Sequence, residues 1–463
     1  MRRILWRAND WQTLKSRFEQ ASNREEGAFL LVRIGRAAAG ARLLVQRVIL
    51  PPEGALEIRG HDSLRPSAQW LSSVVGAAID ARCGLAFIHS HPNPNHPPEL
   101  SPIDWETSIT WSMSFVGMLD GPFASLVWSP QGVTGVMFAA DGANVPLKID
   151  RAESLGDRSA ELLHPVEWRF EEERQLDDRQ IKALTALGNN RLRDLEVALV
   201  GTGGTGSPLA EQLVRLGVAR VLLIDPDVLD DSSNLRRVVG TRASDLGMSK
   251  AAVVGRHLES LGLTTRVSVL AEDVRHETAI RHLLDCDIVV STTDTQSSRA
   301  LLNQVAYQYW IPMIDVGVRV GTSRTGEISG MPVEIRTLLP ENGCLWCRKQ
   351  VLSSQTIYEE NLPPEEREKL ALEGYVQGFN RHQPSLAPLN YFASSSASLT
   401  LLRLYSGQSL PGVSTVFDAW EQYIQPLDAK IDPDCLCSTW RGKADDLAIS
   451  FLPSRESFSQ PSN

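Results

Sequence analysis

The sequence predicts an α/β protein made of two units: a mixed α/β domain over residues 1–150, and a domain with a mostly parallel sheet over residues 176–440. Three observations carry this. In the first block, short β-branched or aromatic runs bounded by Gly or Pro are interspersed with segments of helical spacing. From residue 176 onward strand-like and helix-like segments alternate, which calls for parallel strands with helices on both faces. The length, 463 residues, corresponds to two or three domains at about 100–200 residues each.

In the first block "GAFLLVRIG", "ARLLVQRVIL" and "GLAFIHS" read as strands, and "SAQWLSSVVGAAIDA" and "SPIDWETSITWSMSF" as helices. "FASLVWSPQGVTGVMFAA" reads as a hairpin about Pro-Gln-Gly. Residues 151–175 are charged and predict a linker. The second block then reads "LEVALVG", a helix to Leu216, "ARVLLID", a helix from Lys250 to Leu261, "TRVSVL", "CDIVVSTTD", a helix from Ser298 to Tyr309, and "IPMIDVG". Residues 348–385 are polar and rich in Pro and Glu, a long excursion. The Ser-rich tail, 441–463, is expected to be disordered.

Net charge is −10 with no basic block, which disfavours nucleic acid and anionic lipid as partners. The N-terminus "MRRILWRANDWQ" turns polar within ten residues, and no apolar run is long enough to span a membrane. The expected location is the cytoplasm, where thiols stay reduced. The six cysteines are therefore read as metal ligands, core residues or nucleophiles.

Chemistry concentrates first in Phe87–Trp105, "FIHSHPNPNHPPELSPIDW". Side chains two apart on a strand share a face, so His89 and His91 can meet one metal. Ser101 before Pro102 is a helix start, with Ser as N-cap and Pro at the first helical position. Asp104 then lies in the first turn. Two histidines and one aspartate leave an open fourth position, as in a catalytic zinc site that activates water. "HSHP" followed by "SPID" resembles the JAB/MPN (JAMM) zinc metalloproteases, a family that includes deubiquitinases, over residues 1–145. The resemblance implies that His89, His91 and Asp104 hold zinc and that Ser101 stabilises the oxyanion. It also implies an upstream glutamate as general base. "REEGAFLL" fits, with Glu25 favoured and Glu26 the alternative. The loop from His91 to Ser101 is about two residues longer than the family's and carries His96.

The second concentration is "VALVGTGGTGSPLAEQLVRLGVARVLLIDPD". Gly201, Gly203 and Gly206 form Gly-x-Gly-x-x-Gly, with Gly204 between them, and Asp225 ends the next strand. Glycines admit phosphate to the backbone and to the helix N-terminus, and the acid suits a ribose hydroxyl. That much fits a nicotinamide dehydrogenase as well. The residues downstream point elsewhere: Asp227, Asn234, Arg237, Lys250 and Asp294 in order supply two cations and a magnesium-type acid, as nucleotidyl transfer needs.

This set resembles the ThiF/MoeB family, bacterial relatives of ubiquitin-activating enzymes, over residues 176–440. The resemblance implies a Rossmann-like fold and adenylation by ATP and magnesium of the C-terminal glycine of a ubiquitin-like protein. By that likeness Asp225 holds the ribose, Asn234, Arg237 and Lys250 contact phosphates, and Asp294 binds magnesium. "DRQIKAL" matches the family's Arg-Gln, making Arg179 a finger acting in a partner protomer and the chain a homodimer. The aromatic residue usual nearby is missing.

Cys344-Leu-Trp-Cys347 and Cys435-Leu-Cys437 read as a structural zinc site, although the family's second pair is Cys-x-x-Cys. Cys83 and Cys286 read as core residues. No thiol is then free for a thioester, unless Cys435 or Cys437 is itself the nucleophile. The combined reading is a fusion: a zinc isopeptidase that cleaves after the C-terminal glycine of a ubiquitin-like protein, and an adenylating module that activates that glycine for a separate thiol protein. Such pairings resemble bacterial ubiquitin-like conjugation systems, some antiphage. The alternatives are sulfur-carrier activation in cofactor or cysteine synthesis, and a non-catalytic ubiquitin-like-binding scaffold.

Overall fold

The computed structural model describes residues 1–450 apart from 22, 62, 92–96, 116, 140–144, 166–170, 324–326, 350–351, 363–364, 369–383 and 407. The chain forms two compact units. One comprises residues 1–156, 160–169 and 442–447, the other 157–159, 170–441 and 448 onward.

The first unit runs β1 (Arg2–Arg7), α1 (Ala8–Gln20), β2 (Gly27–Arg36), β3 (Ala41–Ile49), β4 (Leu56–Arg59), β5 (Leu64–Pro66), α2 (Ala68–Asp80) and β6 (Gly84–Ser90). It continues through α3 (Pro102–Phe115), β7 (Phe123–Ser129), β8 (Gly132–Phe138), β9 (Pro146–Lys148), β10 (Arg151–Leu155) and β11 (Ala160–Leu162). Nine strands make one mixed sheet in the order β11-β10-β1-β3-β2-β6-β7-β8-β9. Its central strands are buried on both faces, so they are apolar throughout rather than alternating. Ala28, Leu30 and Val32 of β2, with Ala86 and Ile88 of β6, pack against Trp11, Leu14 and Phe18 of α1. The intervening Phe29, Leu31, Leu85 and Phe87 pack against Trp70, Val74 and Ala78 of α2 and Phe115 of α3.

The expected linker is partly sheet. Strands β10 and β11 fill residues 151–155 and 160–162, and β10 pairs in parallel with β1. Their charged residues turn inward as partners: Arg3 and Glu153 lie 3.6 Å apart, both wholly buried. Residues 166–170 lie outside the described residues. The tail does not begin at 441, because residues 442–447 return to the first unit. There Arg36 N donates to Asp445 Oδ2 (2.8 Å) and Arg33 Nε meets Asp446 Oδ2 at 2.6 Å. The rest of the tail, from 451, lies outside the described residues.

The second unit runs α4 (Glu171–Asp194), β12 (Glu196–Val200), α5 (Gly206–Arg215), β13 (Arg220–Ile224), α6 (Lys250–Ser260), β14 (Arg266–Leu270), α7 (Glu277–Leu283), β15 (Ile288–Ser291), α8 (Gln296–Gln308) and β16 (Met313–Val318). After the small hairpin β17 (Gly321–Thr322) and β18 (Ile328–Gly330) come β19 (Pro332–Leu338), α9 (Ser354–Glu360), α10 (Ala387–Tyr405), β20 (Ser414–Asp418) and β21 (Tyr423–Leu427). The sheet order is β14-β13-β12-β15-β16-β19-β20-β21. The pairs from β14 to β16 are parallel, and those from β16 to β21 antiparallel. The expected parallel sheet thus carries an antiparallel extension. Strand order reverses between β12 and β15, the switch point outside which open α/β sheets bind ligands. No helix among the described residues is long and apolar enough to cross a membrane.

Candidate functional sites

In the first unit, strand register builds the site. β2 and β6 are antiparallel with Gly27 opposite His89. The pairing extends outward: Glu26 N donates to Ser90 Oγ (3.0 Å), and Ser90 N donates to Glu26 O (2.8 Å). Glu25 consequently falls opposite His91, on the face that carries His89. The helix α3 supplies the acid. Ser101 and Asp104 cap its start reciprocally, Asp104 N donating to Ser101 Oγ (3.2 Å) and Ser101 N to Asp104 Oδ2 (2.7 Å). This is a capping box with Asp in the Glu/Gln position.

The result is convergent. His89 Nε2 lies 3.1 Å from Asp104 Oδ1, and His91 Nε2 lies 3.5 Å from Asp104 Oδ2 and 3.8 Å from Glu25 Oε1. One ligand atom from each of His89, His91 and Asp104 lies within 4.8 Å of the others. Both ring nitrogens of His89 are buried without an aligned hydrogen-bond partner, so its contact with Asp104 fits two ligands facing one cation. Burial alone would raise the Asp104 carboxyl. The facing imidazoles of His89 and His91, with Ser101, outweigh it and hold the group well below the usual carboxylate range. The bond to Asp104 raises His91 above its ordinary value, against the opposing effect of burial. Glu26 points to the other face, wholly buried between Arg17 (2.6 Å) and Arg59. The site opens into a cleft of about 930 Å³ lined by Glu25, His89, His91, Ser101, Asp104 and Trp111, with Leu64 and Arg65 of the β4–β5 hairpin also on its wall. His96 lies outside the described residues.

In the second unit the glycine loop joins β12 to α5 at the switch point. Gly201 has φ +92°, and a Cβ on Gly206 would stand 1.9 Å from Gly201 O. A Cβ on Gly203 would meet nothing within 4 Å. The loop is fastened from both sides. Thr202 donates through N (2.6 Å) and Oγ1 (2.9 Å) to Asp225 Oδ2, while Asp227 N donates to Asp225 Oδ1 (2.9 Å). Burial pushes the Asp225 carboxyl up. Across the switch point Thr292 Oγ1 donates to Gly201 O at 2.8 Å. Asp294 lies on the same loop, exposed and without a partner among the described residues.

The predicted cations stand between β13 and the first turn of α6. Arg237 NH2 donates to Ser233 Oγ (3.3 Å) and Asn234 Oδ1 (3.4 Å), and Asn234 itself is buried. Lys250 opens α6 and pairs with Asp227 Oδ2 at 2.8 Å. Arg179 on α4 is exposed. Its neighbour Gln180 donates to Leu216 O at 2.9 Å and fastens α4 to the end of α5. Sequence reasoning missed α10. Thr205 Oγ1 donates to Asn390 Oδ1 (3.4 Å), Ser394 Oγ donates to Thr205 O (2.7 Å), and a Cβ on Gly204 would meet Asn390 Nδ2 at 2.5 Å. These residues come about 185 positions after the loop they touch, so no local spacing could mark them.

The four cysteines meet as expected. Cys344 Sγ is 3.7 Å from Cys435 Sγ, and Cys347 Sγ is 3.6 Å from Cys437 Sγ. A disulfide needs about 2.05 Å. A ZnS4 tetrahedron with bonds of about 2.3 Å has edges of about 3.8 Å. The donor set therefore fits zinc. N–H groups of Cys347 (to Cys344 Sγ, 3.4 Å), Asp432 (to Cys347 Sγ, 3.5 Å) and Arg441 (to Cys437 Sγ, 3.3 Å) donate to the sulfurs, as an outer shell should. Cys83 and Cys286 are buried core residues.

Known proteins share parts of this sequence. The profile of the ThiF family matches residues 177–438. The "SAMP-activating enzyme E1" of Haloferax volcanii is 26% identical over 250 residues, 54% of this chain and 82% of its own length. The sulfur carrier protein adenylyltransferase of Thermus thermophilus is 34% identical over 127 residues, 27% of this chain and 46% of its length. The sulfur carrier protein ThiS adenylyltransferase of Bacillus subtilis is 32% identical over 137 residues, and the chain spans 40% of it. Among solved structures, E. coli MccB aligns with TM-score 0.46 at 15% identity, covering 89% of this chain and 99% of that one.

Proposed function

This chain belongs to the ThiF family across residues 177–438, and from that membership and the site geometry we propose that its second unit adenylates a small ubiquitin-like or sulfur-carrier protein. The carrier's C-terminal glycine carboxylate attacks the α-phosphorus of ATP, giving an acyl adenylate and pyrophosphate. One observation carries the reading: the glycine loop and the Asp294 loop are bonded together at the switch point, with Arg237 against Gly204 and Lys250 at the start of α6, paired with Asp227. The glycine loop and the first turn of α5 offer N–H groups to phosphate. Lys250 and Arg237 offset the triphosphate charge. Asp294, exposed and without a partner among the described residues, offers a carboxylate oxygen to the magnesium of MgATP, a cation that takes one or two carboxylates plus phosphate oxygens. Asp225 has lone pairs beyond those its loop uses, available to a ribose hydroxyl. Arg179 is assigned to the partner protomer's nucleotide in a homodimer. With four cysteines in the metal cluster and two buried, the adenylate passes to a separate thiol protein or sulfur donor.

The test is ATP–pyrophosphate exchange by the full chain with a ubiquitin-like protein ending in glycine, ThiS for example. Deletion of that glycine should abolish exchange, and Asp294→Ala should lower it about 100-fold, roughly 2.7 kcal/mol of transition-state stabilisation. Exchange that persists in Asp294→Ala rejects the magnesium role.

A second reading concerns the first unit, and the convergence of His89, His91, Asp104 and Glu25 favours it: a zinc-dependent peptidase or isopeptidase of JAB/MPN type, acting after the same glycine. Zinc held by these ligands would polarise the scissile carbonyl and acidify a bound water. Glu25 takes the water's proton and returns it to the leaving amine. Ser101 Oγ already accepts from Asp104 N, so its own O–H can donate to the oxyanion. A carrier extended beyond its glycine should be trimmed by the wild-type chain and left intact by Glu25→Gln, as read by mass spectrometry. Equal trimming by both would reject the role of Glu25.

A further inference from the structure

The helix α8 begins two residues after Asp294. The first N–H groups of a helix have no partner within it, and here the residue before the helix gives no help: Thr295 Oγ1 donates to Ser298 Oγ (2.8 Å) and makes no side-chain cap to the backbone. The partner comes from far along the chain. Glu360, the last residue of α9, accepts from Gln296 N through Oε1 (3.1 Å) and from Ser297 N through Oε2 (2.6 Å). The fastening is mutual, because Gln296 Oε1 accepts from Ser353 N (2.6 Å), the residue that caps α9. Both ends of α9 are therefore held by the first turn of α8. A third anchor lies on the loop after β14, where Arg275, itself gripped by Asp273, donates to Asn361 Oδ1 (3.0 Å).

A free helix N-terminus attracts phosphate, and Glu360 takes up that of α8. The nucleotide's phosphates are left to the glycine loop and α5. The Asp294 loop is held at its front by Thr292 and by Arg299, whose Nε donates to Thr293 O (3.1 Å). Its rear is the turn that Glu360 caps.

We propose that Glu360 is a positioning residue for adenylation: by capping α8 it fixes the Asp294 loop in the geometry that receives the magnesium of MgATP. The inference rests on the reading of the second unit as an adenylating enzyme. It is tested in the full chain by Mn²⁺ binding in the presence of AMPCPP, read from the EPR signal of free Mn²⁺, together with the thermal midpoint. Loss of an outer-shell partner weakens metal affinity about 10–100-fold. Glu360→Ala should therefore raise the Mn²⁺ dissociation constant about tenfold, leaving metal-free AMPCPP affinity within about twofold. Glu360→Gln, which keeps one acceptor oxygen, should lie between. Glu359→Gln, whose carboxylate meets only Gln355 among the described residues, should match the wild type. Unchanged Mn²⁺ affinity with a lower thermal midpoint overturns the proposal and leaves Glu360 a stabilising cap. If Glu360→Ala does not fold, Glu360→Gln decides by the same criterion. A wild type that binds Mn²⁺–AMPCPP but shows no carrier-dependent exchange defeats the adenylation reading alone. A wild type that does neither defeats both.

Discussion

At the scale of single residues, two adjacent glutamates show how the sheet assigns chemistry. Glu25 and Glu26 are the same residue type, and the sequence favours Glu25 as the base only through the resemblance, with Glu26 the alternative. Register separates them, since neighbours on an extended strand face opposite ways. Glu25 lies 3.8 Å from His91, whereas Glu26 is spent on Arg17 and Arg59. Glu26→Gln should thus cost stability, about 2 kcal/mol given that both arginines are partly exposed, and leave bound zinc unchanged. Glu25→Gln should abolish trimming with little effect on the unfolding midpoint. The reverse pattern would exchange the two roles. The histidines add a pH dependence. The bond to Asp104 raises His91 above its ordinary value of 6.5, and zinc must displace that proton. Zinc affinity should be full above the raised value and fall as pH drops through it, an onset higher than an ordinary histidine would give. The metal-free protein behaves oppositely. A raised histidine contributes stability that is full below 6.5 and is lost as pH rises through the folded value. Zinc titrations across this range check the sign, and an affinity constant down to about pH 5 would remove His91 from the ligand set.

At the scale of elements, the glycine loop separates architecture from ligand contact. A Cβ at position 206 would strike Gly201 O at 1.9 Å, with Thr292 Oγ1 at 2.7 Å, while one at 203 meets nothing. Gly206→Ala should therefore damage the fold of the second unit. Gly203→Ala should melt with the wild type yet bind ATP about tenfold more weakly, roughly 1.4 kcal/mol, because only a phosphate seated on the loop would feel the methyl group. Wild-type ATP affinity in Gly203→Ala would place the phosphates elsewhere. Elements with a local signature, a short apolar run or helical spacing bounded by turn and cap residues, were legible in the sequence: β2, β6, α2, α3 and the strands from β12 to β16. The histidine pair, the glycine loop and both cysteine pairs were legible because their chemistry is local. The elements that stayed hidden have a common cause. β10 buries Glu153 against Arg3, so a core strand reads as a charged linker. Over 390–399 α10 buries Asn390, Ala393, Ser394, Ala397 and Ser398 while exposing Tyr391, Phe392 and Leu399, so in that stretch the packed face is the small one and the apolar pattern points the wrong way, and large buried residues return only at Leu401, Leu404 and Tyr405. Glu360 and Asn390 act on loops that lie far away in sequence, and only the sheet order brings them there.

At the scale of the whole molecule, two donor sets of different kinds are carried on separate compact units. His89, His91 and Asp104 leave a coordination position open to water, whereas Cys344, Cys347, Cys435 and Cys437 form a closed set. The closed set ties the chain after β19 to the chain after β21, enclosing α9, α10 and the outer strands, so it anchors the segments that carry Glu360 and Asn390. If the first is catalytic and the second structural, as proposed, they should respond differently to loss of metal. The wild-type chain should carry two zinc ions, by elemental analysis against protein mass. His89→Ala should retain one, lose trimming and keep carrier-dependent exchange. Cys347→Ser should also retain one, but lower the melting transition of the second unit by about 10 °C, on the order of 3 kcal/mol for a domain of this size, and lose exchange with it. Trimming in Cys347→Ser should persist at temperatures where the first unit remains folded. If the wild type carries a single zinc and His89→Ala keeps it, the open site holds no zinc and the peptidase reading falls while adenylation stands. If Cys347→Ser keeps both ions and the wild-type melting temperature, the cysteines are not the clamp that orders α9 and α10, and the anchoring of Glu360 must come from α8 and from the bond of Arg275 to Asn361.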